Sequence, residues 1–172
     1  RLIASQDDPL KKEQLRLACE NSSILRDKVA LRFIAKQDTL KKMRELRFAC
    51  ENPNILVDKK ILTLIAGQDS FEKMSEVRSA CENLNILPHK EVLNLIASQD
   101  DHLKMLQLRL ACENPSILND KEILNLIASQ DDHWKMLQLR LACRNPNILA
   151  DKEILRLIAS QDDPLKKEQL RL

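Results

Sequence analysis

A single glycine (Gly67), no tyrosine, one tryptophan and three phenylalanines stand among 172 residues. So little aromatic and glycine content argues against β-sheets and against a glycine-rich phosphate loop. No long apolar run offers a membrane span or a signal peptide. No Cys-x-x-Cys or His-x-x-x-His spacing suggests zinc, so neither metal nor cofactor is expected. The three histidines, His89, His102 and His133, fall at helix termini. His102 lies about three helical turns from Cys112, too far to serve as its base. No catalytic residue is assigned, and the chain is not expected to be an enzyme.

What remains is the vocabulary of helices: Leu, Ile, Ala, Lys and Glu. It is arranged in a repeat. Ile-Ala-X-Gln-Asp begins at Ile3, Ile34, Ile65, Ile96, Ile127 and Ile158, a period of 31 residues. Cys19, Cys50, Cys81, Cys112 and Cys143 keep the same interval, as do Arg16, Arg47, Arg78, Arg109, Arg140 and Arg171. Such a period means stacked supersecondary units sharing a continuous core. The fold expected is all-α: a right-handed superhelical α-solenoid of 31-residue two-helix repeats in a single domain. A partial repeat spans 1–25, and units start near 26, 57, 88, 119 and 150. Segments 1–17 and 156–172 are identical, so the chain reads as a stretch of a longer array, with end-to-end self-stacking as a possible association.

Within a unit, Asp120 precedes Ile123, Leu124, Leu126 and Ile127 at helical spacing, which predicts helix A ending near Gln130. Asp8, Thr39, Ser70, Asp101, Asp132 and Asp163 recur as N-caps of helix B, with Pro9 and Pro164 at the first helical position. Asn114-Pro115 and its counterparts stop helix B, and Ile117-Leu118 plugs a linking turn under the next helix A. The cysteines share one phase, one repeat apart and beyond disulfide reach, and are expected to be small buried hydrophobes. A reducing intracellular compartment is expected, cytoplasmic or nuclear, or inside a host cell after delivery.

Positions that never vary between repeats are expected to be core, and variable ones to be displayed. On helix B the variable face carries Lys41 and Arg44 in the second repeat. It turns apolar at Leu103 and Leu106, and at Trp134 and Leu137. Exposed apolar surface with a tryptophan marks a protein contact, so these six residues are the candidate partner-binding set. The competing reading packs them against the next helix B. On helix A the variable positions include Arg32, Asn94, Asn125 and Arg156, a candidate set for reading nucleic acid one repeat at a time.

The net charge of +2 is uneven. Residues 32–62 hold eight Lys or Arg against four Asp or Glu, while 63–93 and 94–124 each hold three against five. An acidic middle weighs against wrapping a phosphate backbone; the Arg16, Lys28 and Lys11 series could form a basic ladder, but the favoured reading pairs them within their helices and on a solvated surface. The near-identical fourth and fifth repeats, with Ile-Ala-Ser before the bend, resemble the DNA-reading repeats of TAL effectors. Those repeats have a Gly-Gly bend, where this chain has Gln-Asp-Asp. The Asn-Pro-X-Ile-Leu turn and 31-residue length resemble the repeats of mitochondrial transcription termination factors, which are nucleic-acid-binding α-solenoids. Either resemblance implies that Gln99 and Gln130, or the basic ladder, face nucleic acid. The leading expectation is a non-enzymatic scaffold binding a protein partner, with no membrane role. A modular nucleic-acid binder is the alternative.

Overall fold

The computed structural model describes residues 1–171. All regular structure among them is helical, in two compact units, Arg1–Leu87 and Pro88–Leu172.

The first unit contains α1 (Pro9–Glu20), α2 (Ser22–Arg26), α3 (Lys28–Ala35), α4 (Leu40–Glu51), α5 (Pro53–Leu56), α6 (Lys59–Ala66) and α7 (Phe71–Glu82). The long helices α1, α4 and α7 lie side by side in one layer, and α3 and α6 form a second layer upon them. Core side chains come from positions that recur every 31 residues: Ile34 and Ile65 from the short layer, Met43, Leu46 and Ala49 and then Met74, Val77 and Ala80 from the long one, all fully buried. Each buried Ile, Leu or Met contributes about 1.5–3 kcal/mol, so a helix of eight residues holds its place through the layer beneath it.

The second unit repeats the plan with α8 (Lys90–Ala97), α9 (His102–Cys112), α10 (Pro115–Leu118), α11 (Lys121–Ala128), α12 (His133–Ala142), α13 (Pro146–Ala150), α14 (Lys152–Ala159) and α15 (Pro164–Arg171). Helices α9, α12 and α15 are packed side by side, and α11 packs along α14.

The helix starts follow from capping chemistry. Asp8 accepts from the Leu10 amide, Thr39 from Lys42, Ser70 from Lys73, Asp101 from Leu103 and Asp132 from Lys135. Asp27, Asp58, Asp120 and Asp151 do the same for helix A. The linking segment expected as a turn is a one-turn helix in four places, α2, α5, α10 and α13. Asparagine caps each of them, and three carry proline at the first helical position, where its missing N–H costs nothing. Segment 84–88 stays a turn. In α5 and α10 the closing bond runs from the amides of Val57 and Asn119 to the Pro53 and Pro115 carbonyls, at 3.1 Å each. Pro88 occupies that donor position and has no N–H to give.

Cys50, Cys81, Cys112 and Cys143 are buried. Burial pushes the Cys50 and Cys112 thiols up to about 12 and the Cys143 thiol up to about 11, so they act as small hydrophobes. No described helix is long and apolar enough to cross a membrane.

Candidate recognition surfaces

Most of the arginines and lysines at the repeating basic positions are paired within the molecule. Arg47 donates from Nε to Gln14 at 3.2 Å, Arg78 to Glu45 at 3.0 Å and Arg140 to Gln107 at 3.0 Å, each reaching back 33 residues to the preceding long helix. The same arginines pair within their helix, Arg47 with Glu51 at 2.9 Å and Arg78 with Glu82 at 2.8 Å. The lysines one residue before the core methionines bind the bend: Lys42 to Asp38, Lys73 to Asp69, Lys104 to Asp100 and Lys135 to Asp131, at 2.8–3.1 Å. Their ammonium groups hold the Asp38 and Asp131 carboxyls below the usual carboxylate range.

A third set of rungs joins neighbouring short helices. Lys59 bonds to Asp27, and Lys152 to Asp120 at 2.9 Å. Partial burial pushes the Asp27 carboxyl up, but the Lys59 ammonium and the amides of Ala30 and Val29 outweigh it and leave it depressed. Asp120 behaves alike, with Lys152 and the Ile123 and Glu122 amides. At the matching place in the second unit the N-cap is His89, which makes no side-chain cap bond. Lys121 turns to Glu91 instead, at 2.9 Å and in full contact with solvent. A cleft of about 640 Å³ opens there, lined by His89, Glu91, Leu95, Lys121 and Asn125 among others.

The residues expected at a nucleic-acid face are split. Gln99 and Gln130 are buried, and each amide donates to a carbonyl of its own helix A, Leu95 at 3.2 Å and Leu126 at 3.1 Å. Gln37 donates both to Phe33 and, across to the next short helix, to Ala66. The bend therefore turns aspartates outward and keeps its glutamine amides inside. Arg32, Asn94 and Asn125 are exposed on helix A, and exposed Arg156 is engaged by Glu122.

The helix B candidates also separate. Trp134 is 57% exposed, with its ring tilted against His133 at 5.1 Å between centroids. Leu103, Leu106 and Leu137 are half-buried because the long helices of the unit lie side by side. In the first unit Arg44 and Lys41 are exposed, and the Lys41 ammonium sits 4.7 Å from the Phe71 ring centroid. No family model, curated protein or solved structure matches the chain.

The 33-residue arginine rungs were not anticipated. Their signal was present: the position that accepts them is Gln14, Glu45, Glu76, Gln107, Gln138 and Gln169, always an amide or carboxylate. Nor was Lys167, which is buried at a methionine position and donates to the Ile158 and Ala159 carbonyls at 2.6 and 2.7 Å.

Proposed function

We propose that the chain is a non-enzymatic recognition scaffold, an α-solenoid of right-handed superhelical repeats that binds a protein partner through the variable face of helix B. One observation carries this reading. At a phase where the sister repeats hold Leu10, Lys41 and Glu72, the second unit holds Trp134, more than half exposed, beside a ridge of half-buried leucines that extends it. A large amphipathic ring kept in water on a firmly packed helix is the usual anchor of a protein contact. The internal use of the Gln-Asp bend and of the arginine and lysine ladders supports a protein partner over nucleic acid, since phosphate binding needs cations not already paired.

Trp134→Ala removes the anchor from an exposed position and should change stability by no more than about 0.5 kcal/mol. A hot-spot tryptophan costs at least about 2 kcal/mol of binding, roughly 30-fold in affinity. Partners enriched by the wild-type chain and lost with the variant would be re-made in pure form and titrated against both. A lost thermal transition would place Trp134 in the core, and equal affinities would remove it from the interface.

A further inference from the structure

We infer that the outward face of α12 seats a second copy of this chain, the two α12 helices packing antiparallel about a two-fold axis. The inference rests on the protein-recognition reading above and names the partner.

Trp134, Leu137, Leu141 and Arg144 follow one another at spacings of three, four and three, which sets them along one face of α12 and the turn that closes it. Helices α9 and α15 flank α12 on both sides, so this face is displayed by the layer itself. Two departures distinguish it from its sisters. Charged residues interrupt the corresponding stripe on α1, α4, α7 and α15, at Glu13, Lys41, Glu72 and Glu168, whereas on α9 and α12 it is apolar throughout. The position of Arg144 is held in the other repeats by Glu20, Glu51, Glu82 and Glu113, each paired with the arginine four residues before it. On α12 that arginine, Arg140, is followed by exposed Arg144, a second cation one turn on.

Charge and spacing select the occupant. At the head of the stripe stands the carboxylate of Asp131, 75% exposed, with acceptor capacity left beyond its pair with Lys135. A face with an anion at its head and a cation at its foot complements itself when turned end for end. The register agrees with this. Trp134 and Leu141 lie symmetrically about the point between Leu137 and Gln138, and Asp131 and Arg144 lie symmetrically about the same point. A two-fold axis through it lays Trp134 of each copy on Leu141 of the other and brings each Arg144 to the other's Asp131, at the interaxial distance of about 8–10 Å usual for packed helices. The α9 stripe is acidic at both ends, Asp100 and Glu113, so the axis belongs to α12. An apolar centre with opposite charges at its rim is the anatomy of a protein interface.

Sedimentation velocity of the whole chain between about 1 and 300 μM, at about 50 and 500 mM salt, tests the pairing. A reversible monomer–dimer equilibrium is expected. Trp134→Ala enters a two-fold interface twice and should weaken it at least about a hundredfold. Arg144→Glu restores the residue of four sister repeats, which keeps the fold, and should weaken dimerisation about tenfold at low salt and less at high salt. Asp131→Lys should weaken it alike, by setting a lysine against Arg144. Mixing these two variants re-creates an opposite-charge pair at both ends, so mixed dimers should form within about threefold of the wild-type affinity. A monomer at every concentration overturns the inference, and so does a mixture that associates no better than its components. A dimer that Trp134→Ala and Arg144→Glu both leave intact overturns it too, giving the contact to the ends of the array. Should Asp131→Lys fail to fold, Trp134→Ala and Arg144→Glu alone decide. A monomeric chain that still binds a different protein, and loses it on Trp134→Ala, sinks this inference while leaving the recognition reading standing, so the two failures are told apart.

Discussion

Replacing His89 with aspartate should stabilise the second unit, and the structure sets the size of the gain. His89 has φ −90° and ψ 77°, close to Asp27 at −97° and 92° and to Asp120 at −111° and 99°, so the backbone is already shaped for a capping carboxylate. Asp120 accepts from two amides, Glu122 at 3.0 Å and Ile123 at 3.2 Å, and an aspartate at 89 would reach the equivalent amides of Glu91 and Val92. An N-cap of this kind is worth about 1 kcal/mol. The carboxylate would also offer Lys121 the rung that Lys152 makes with Asp120, a partly exposed pair worth a few tenths of a kcal/mol. The Glu91–Lys121 pair it displaces is fully solvated and contributes almost nothing. The sum is about 1–1.5 kcal/mol, or roughly 2–6 °C in Tm for a chain of this size. Urea titration and calorimetry measure the total, and hydrogen exchange at the Glu91 amide measures the cap itself. The gain should be present above the unfolded aspartate pKa of about 4 and vanish as pH falls through the depressed folded value. An unchanged midpoint with unchanged Glu91 protection would show that packing of Val92 and Leu93 alone fixes the start of α8, and the capping argument would fall.

Two more outcomes follow from the rungs. The folded Asp27 and Asp120 carboxyls are depressed, so their contribution is complete above about pH 4 and is lost as pH drops through the folded values. The stability difference between pH 7 and pH 3 should therefore be smaller in Asp27→Asn/Asp120→Asn than in wild type, as read by urea midpoints; equal differences would refute it. Arg144 stands where Glu51 and Glu82 pair with Arg47 and Arg78, and Arg140 is disfavoured as a cation first by burial and then by Arg144. Arg144→Glu should raise stability by about 0.5–1 kcal/mol, with the gain shrinking as salt is added, and a salt-independent or negative change would contradict it.

The all-α class and the caps were legible because each depends on chemistry within four residues along the chain, and the core because it recurs at fixed phases of the 31-residue repeat. Asp8 before Pro9 gives a helix start from two side chains, and Ile24 and Ile55 recur at a phase that only burial explains. Interactions that close over 33 residues were another matter. The pairing of Arg47 with Glu51 four residues on is legible in the sequence, whereas its bond to Gln14 one repeat back is not. The helix B stripe failed to resolve for a related reason: Leu103 and Leu137 are half-covered by neighbouring long helices, a burial that one helix wheel cannot show. Trp134, Lys41 and Arg44 are displayed as read.

A repeat protein therefore hides its function in departures from its own pattern. Several polar groups present in every unit bond to a partner about one period away, because neighbouring repeats within a unit bring the same two phases together. Gln37 bonding to Ala66 and Lys59 bonding to Asp27 are instances. A group present in one unit alone has no such counterpart and is left to solvent, to a ligand or to strain. His89, Arg144, Gly67, Lys36 and Trp134 are departures of this kind. Because the sister repeats record the residue each position tolerates, reverting a departure removes what is special to it while leaving the junction chemistry in place. Loss of binding on reversion then reports recognition, and a change in stability alone reports architecture.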